Sequence, residues 1–219
     1  MWCIPRITPQ FRKSMYEILD LYAEPYDIRR PVIGIDEKPK QLLGQKRNPI
    51  LMKPGKPERY DYEYVRKGGV NIFMAIDFKG GKRITKVTDR RTKVDFAHYL
   101  KFLVDKVYKH SRVLRLVLDN LNTHNASSLF ETFDKKEANR ILKKIEFHYT
   151  PKHASWLNVA EIEIGIMDAQ CTGRRIENKE WLAEEVNTWM KERNRKKNKI
   201  EWKFTKKDAD KKLAKYYVT

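Results

Sequence analysis

Apolar residues along this 219-residue chain recur with two different periods, and the change from one to the other predicts the elements. Near the start, FRKSMYEILDLYAEP carries helical spacing. The Pro-bounded connector YDIRRP must then run extended, because proline fixes its own φ and restricts the residue before it. The β-branched run Val32, Ile33 and Ile35 in PVIGIDEK predicts a buried strand that ends at the acidic pair Asp36 and Glu37. VNIFMAIDF is a second apolar run, Gly80 and Gly81 mark a turn, and KRITKVT alternates with the period of two expected of a hairpin partner. Between these, Gln41 to Lys67 is rich in Pro, Gly, Lys and Tyr and shows no sustained period until YDYEYV, which predicts a long basic loop entering a strand.

In KVDFAHYLKFLVDKVYKH, Phe96, Tyr99, Leu100, Leu103 and Val107 form the apolar stripe of a helix of about four turns. VLRLVLDN is a further strand ending in an acid, Asp119, before the turn-favouring LNTHN. Ala126 to Lys144 is helical in composition, IEFHYT alternates as a last strand, and PKHASW opens a final helix, LNVAEIEIGIMDAQ, with Ser155 as its cap and Glu161 inside it. The expected class is α/β: a mixed five-stranded sheet, three antiparallel strands followed by α-β-α-β-α, with helices on both faces. The expected division is an N-terminal helix and connector over 1–30, a core over 31–178, and a basic helical extension over 179–219.

Composition adds a partner to this picture. Hydrophobic residues make up 41% of the chain, enough apolar surface to offset the entropy of folding. The 47 Lys and Arg exceed the 29 Asp and Glu, for a net charge of +18, which points to a polyanion. Residues 191–219 hold twelve Lys or Arg against four Asp or Glu, close to half of that excess, together with Trp202, Phe204, Tyr216 and Tyr217. No run approaches the roughly 18 apolar residues of a membrane span, and the start lacks a secretion-signal layout, so a cytoplasmic, nucleoid-associated location is expected. Cys3 and Cys171 lie far apart with no CxxC partner, which predicts free thiols rather than a disulfide or zinc site.

Asp36 and Asp119 both end predicted strands, and Glu161 follows Asp119 by 42 positions, room for a helix, a strand and the turn into a last helix. Ligands of open α/β sheets gather at such an edge. Clustered carboxylates repel one another unless a cation neutralises them, and hard oxygen donors without Cys or clustered His suit Mg²⁺ or Mn²⁺. Two such ions, about 3.5–4 Å apart, can stabilise the attacking and leaving oxygens of phosphodiester cleavage. Other acids compete: Glu37 should point to the opposite side of its strand from Asp36, and Glu163 lies about 200° around the helix from Glu161, so both rank below the triad.

The stretches VIGIDEKPKQLLG, MKPGKPERYDYEYVRKGGVNIFMA, VLDNLNTHNASSL and FHYTPKHASWLNVAEIE resemble, in this order, the transposases of the insertion-sequence six-thirty family within the mariner-type DDE superfamily. The resemblance runs from about residue 15 to the C-terminus. It implies an RNase H-like fold, cut-and-paste transposition on double-stranded DNA with a homodimer assembled on that DNA, and an acidic triad of Asp36, Asp119 and Glu161. It also places Asn120, His124 and Asn158 near the metals, where amide and imidazole groups orient carboxylates or phosphate. Lys38, Lys53, Arg59 and Lys152, with Lys46, Arg47 and Lys56, lie on loops expected to surround the acidic edge and grip phosphates. Trp156 is expected to be a core anchor rather than a platform for bases. Such transposases carry helix-turn-helix modules ahead of the catalytic domain, and this chain starts only shortly before that domain, so sequence-specific end recognition is expected to be absent from it, whether it is an excised domain, the second product of a split reading frame or a remnant that starts internally. Two other readings stay open: a non-catalytic, basic DNA-binding remnant of the same lineage, and an RNase H-like nuclease acting on RNA:DNA hybrids or junctions.

Overall fold

The computed structural model describes residues 6–121 and 123–218; Cys3 lies outside them. Five strands, β1 (Val32–Gln45), β2 (Tyr64–Asp77), β3 (Lys82–Thr88), β4 (Leu114–Leu118) and β5 (Ile145–Tyr149), form one sheet in the order β3-β2-β1-β4-β5. The first three are antiparallel neighbours, whereas β4 joins β1, and β5 joins β4, in parallel. The helices are α1 (Pro9–Ala23), α2 (Lys93–Phe102), α3 (Ser127–Thr132), α4 (Lys135–Leu142), α5 (Val159–Met167), α6 (Lys179–Arg195) and α7 (Lys206–Leu213).

Period-two alternation sorts each strand's side chains between the two faces. Ile33, Ile35, Phe73, Leu116 and Leu118 pack under α2, α3 and α4 with Phe96, Tyr99, Leu100, Leu129 and Ile141. On the other face Val32, Ile76 and Val117 meet Ile18 and Tyr22 of α1 and Val159 and Ala160 of α5. Leu42, Ile72 and Met74 meet Ile164 and Met167 of α5 and Leu182 and Val186 of α6. Helices therefore cover both faces, as the patterning requires, and the basic extension contributes apolar side chains to the core.

The structure corrects five local expectations. The strand carrying Asp36 does not end there: it runs on to Gln45 because β2 begins at Tyr64 and supplies an antiparallel partner along this whole length, with one irregularity between Gln41 and Leu43. The predicted loop is thus confined to about 46–63, where the Ile50–Arg59 and Lys53–Lys56 bridges form a narrow hairpin arm. Residues 126–144 form two helices rather than one, since Asp134 is extended and caps α4 by accepting from the Glu137 amide at 2.8 Å. Ser155 opens only a short 3₁₀ turn, and the cap of α5 is Asn158. Trp156 is partly exposed, edge-on to Phe204 at 5.4 Å, rather than a core anchor.

Candidate active site

The parallel register of β1 with β4 pairs Val32 with Arg115 and Gly34 with Val117. Carried past the end of β4, the same register sets Asp36 level with Asp119, on neighbouring strands that run about 4.8 Å apart. Alternation directs both acids to the face covered by α1 and α5 and directs Glu37 to the other. Asp36 therefore lies inside a strand yet at the sheet's edge, because its parallel neighbour has already stopped.

The third acid is delivered by a glycine and an asparagine. A Cβ on Gly34 would stand 2.5 Å from Val159 Cγ1 and 3.0 Å from the Ala160 amide, so only glycine lets the first turn of α5 rest on β1. Asn158, fully buried, accepts from the Ala160 amide (3.1 Å) as the helix cap, and its Nδ2 donates to the Ile35 carbonyl (2.8 Å) and to Asp36 Oδ2 (3.3 Å). Tyr22 of α1 braces the same turn, donating to the Leu157 carbonyl (2.9 Å) and accepting from the Val159 amide (3.2 Å). Glu161 sits in the first turn of the helix so positioned.

Electrostatics tie the acids together. Burial, opposed by a hydrogen bond from the Glu37 amide and reinforced by the like charges of Glu161, Asp119 and Glu37, pushes the Asp36 carboxyl up to about 7. Burial would lift Asp119 as well, but the hydrogen bond and charge of His124, the Leu121 amide and Arg91 hold it below its ordinary value. His124 Nδ1 stands 2.5 Å from Asp119 Oδ1, and Nε2 stands 2.7 Å from Glu37 Oε2. Burial would lower the ring's pKa, but these two carboxylates outweigh it and raise it to about 9. Among the described residues no three His, Cys, Asp or Glu side chains are already gathered as one ion's ligands. What is gathered is a set of hard oxygen donors that repel one another, the charge pattern a divalent cation relieves, so the donor set fits Mg²⁺ or Mn²⁺.

Other sequence candidates fall in different places. Asn120 is exposed directly after Asp119. Lys38 pairs with Asp168 at 3.1 Å, in the π-helical turn Asp168–Thr172 that follows α5. Lys46 and Arg47 pair with Asp61 and Glu63 across the base of the arm. Lys53, Arg59 and Lys152 are exposed and form no ion pair with the acids. Glu163, two residues beyond Glu161, is fully buried and bound bidentately by Arg83 and again by Arg193. Sequence reasoning missed the link of Glu37 to Asp119 through His124; the signal present was the acid pair itself, in a chain whose fourth strand ends beside an acid near a His. Cys171 is a buried free thiol.

A mixed five-stranded sheet of this order, with helices on both faces, is an RNase H-like fold. Residues 31–183 match the family model described as DDE superfamily endonuclease, and the chain belongs to that family. Among solved structures, that described as the Mos1 mariner paired end complex with Mn superposes with a TM-score of 0.53 at 14% identity, covering 99% of this chain and 64% of that one. A pre-cleavage Mos1 transpososome superposes at 0.52 and 13% identity, covering 90% and 66%. The chain thus spans just under two thirds of those longer chains, and the likeness establishes the fold. No curated protein matches the sequence. Among the described residues no helix is long and apolar enough to cross a membrane.

Proposed function

We propose that this chain is the catalytic domain of a DNA transposase of the insertion-sequence six-thirty type, cutting element ends and joining the freed 3′ hydroxyl to target DNA. The observation that supports the reading is that Glu161 and Asp119 both act by like charge on the buried Asp36 carboxyl, beside the end of β4. These three would hold two divalent ions, Mg²⁺ or Mn²⁺, which when bound stabilise the attacking and leaving oxygens of an in-line displacement. The remaining work falls to the chain's own residues. Asn158 orients Asp36 and fixes the start of the helix that carries Glu161. His124 takes one oxygen of Asp119. Because the Asp36 carboxyl sits near 7, it must release its proton before it can serve as a ligand, and activity rises through neutral pH. Asn120 lies beside the centre, and the exposed Lys53, Arg59 and Lys152, with Lys38, supply phosphate contacts for a duplex bound by a homodimer at the nucleoid. In this reading residues 31–178 form the catalytic core and 179–219 a basic helical extension packed on it, after the N-terminal helix and connector of 1–30.

The test is nicking of duplex DNA carrying the neighbouring terminal repeats, with Mn²⁺ or Mg²⁺. Cleavage should require the metal, and Asp119→Asn should abolish it while leaving DNA binding in place. Undiminished nicking by Asp119→Asn would overturn the residue assignment. Salt-sensitive DNA binding with no cleavage under any divalent metal would make the chain a DNA-binding protein without the enzyme.

A further inference from the structure

Helix α7 sorts its charges between its two sides. Ala209 and Leu213 are buried against Ile7, Met15 and Leu19, which fixes the opposite side of the helix as its solvent face. Four-residue spacing puts the exposed Lys207 and Lys211 on that face, and Lys215, exposed in the 3₁₀ turn Ala214–Tyr216 that continues the helix, extends the row. The acids of the helix are engaged elsewhere. Asp208 closes the capping box with Thr205, and Asp210 accepts from Tyr16, Tyr217 and Arg12. Asp20 of α1 pairs with Lys206 at 2.5 Å. Among the described residues no carboxylate stands within ion-pair distance of Lys207, Lys211 or Lys215. The surface of α4 differs: Arg140, between Lys136 and Lys143, holds Asp105 and Glu137 at 2.6–2.9 Å.

Like charges one helical turn apart repel, so a row of uncompensated lysines costs stability until a polyanion lies along it. The row rises by about 6 Å per lysine and carries no large apolar side chain, because the apolar side of α7 is spent on the core. A membrane-bound helix needs the reverse, an apolar side left free to enter the lipid. The row also adjoins the acidic edge. Trp156, in the turn whose Asn158 caps α5, packs edge-on to Phe204 at 5.4 Å, and Lys212 of α7 lies 5.6 Å over the same ring. We propose that the outer face of α7 is a second phosphate-binding surface, on which Lys207, Lys211 and Lys215 receive the backbone of duplex DNA that extends away from the acidic edge. The inference rests on the DNA-acting reading given above.

Lys207→Gln, Lys211→Gln and Lys215→Gln together remove three charges from solvent-facing positions and leave the buried side of the helix untouched. Binding of a fluorescein-labelled duplex to the full chain, followed by anisotropy across a NaCl series without divalent metal, reads the number of phosphates neutralised. The slope of log Kobs against log[NaCl] should fall in magnitude by about 2–3, since each contact contributes about 0.9. A matched variant of α4, with Lys135→Gln, Lys136→Gln and Lys143→Gln, removes the same charge beyond the opposite face of the sheet and should shift the slope by less than one contact. An unchanged slope in the α7 variant overturns the proposal. So does an equal fall in both variants, which would show that only net charge counts. If the triple variant does not fold, the three single changes decide, each expected to lower the slope by about 0.9. Weakened binding to phosphatidylserine vesicles with duplex binding unmoved also overturns it. If the wild type binds no duplex at all, the transposase reading falls with this one; if it binds and cleaves while the α7 variant keeps its slope, this inference alone fails.

Discussion

Glu161 and Glu163 stand two residues apart on α5 and face opposite environments. Glu163 is enclosed by Arg83, itself fully buried, and by Arg193, and all its oxygens are engaged at 2.5–3.2 Å. Arg83 is further fastened to the Asn198 carbonyl and, through its backbone, to Asn194, so this cluster pins α6 to β3 and α5. Glu161 faces Asp36 across the edge of the sheet and adds its negative charge to a group the protein leaves under-compensated. Neutralised acids of this kind hold the fold; acids crowded together against their own repulsion mark where a cation belongs.

The contrast should break first in stability. Glu163→Gln strands two guanidinium groups, one fully buried, and should destabilise the fold by on the order of 3–5 kcal/mol, a loss of many degrees in Tm by thermal denaturation. Glu161→Gln should move Tm by little and abolish metal-dependent cleavage. Equal losses of stability in the two variants would erase the distinction between them.

A smaller effect should follow pH. The Asp36 carboxyl, held near 7 in the folded chain against an ordinary value of 3.8, keeps a proton that the unfolded chain releases. Its contribution to stability is therefore complete below about 3.8 and is lost as pH rises to about 7. Asp36→Asn should match the wild type near pH 3.5 and exceed it at pH 8, by on the order of 2–3 kcal/mol in chemical denaturation. Mn²⁺ should stabilise the wild type at pH 8 and the variant much less. No gain at pH 8 would show that Asp36 is not under repulsion.

The smallest effect tests how the two regions are joined. Gly34→Ala places a methyl against Val159 and the Ala160 amide and should cost about 1–3 kcal/mol by pushing α5 off β1. Cleavage should fall further than stability alone explains, because Glu161 moves with that helix. A variant with lower Tm and normal turnover per folded molecule would show that Gly34 serves packing only.

Much of this was legible in the chain. Val32, Ile33 and Ile35, the hairpin around Gly80 and Gly81, and the strand before Asp119 all carry local periodicity, and the structure places a strand at each. The length of β1 was not legible, because Pro39, Lys40 and Gln41 have weak strand character and become a strand only by pairing with Asn71, Val70 and Gly69. Asn158 as cap was hidden by Ser155, an equally good capping residue three positions earlier. The arm at 46–63 shows no periodicity because its hydrogen bonding is confined to two short bridges.

By itself the sequence determined most of the elements, the cationic excess, and the presence of an acid after β4 and of others on β1 and on one helix, since each depends on neighbours a few residues away. Only the tertiary structure decided which acids are neutralised and which are left under-compensated. Arg83 and Arg193 reach Glu163 from 80 and 30 positions away, and Asn158 reaches Asp36 across 122. Neutralisation and burial depend on distances in space, and no local period along the chain encodes them.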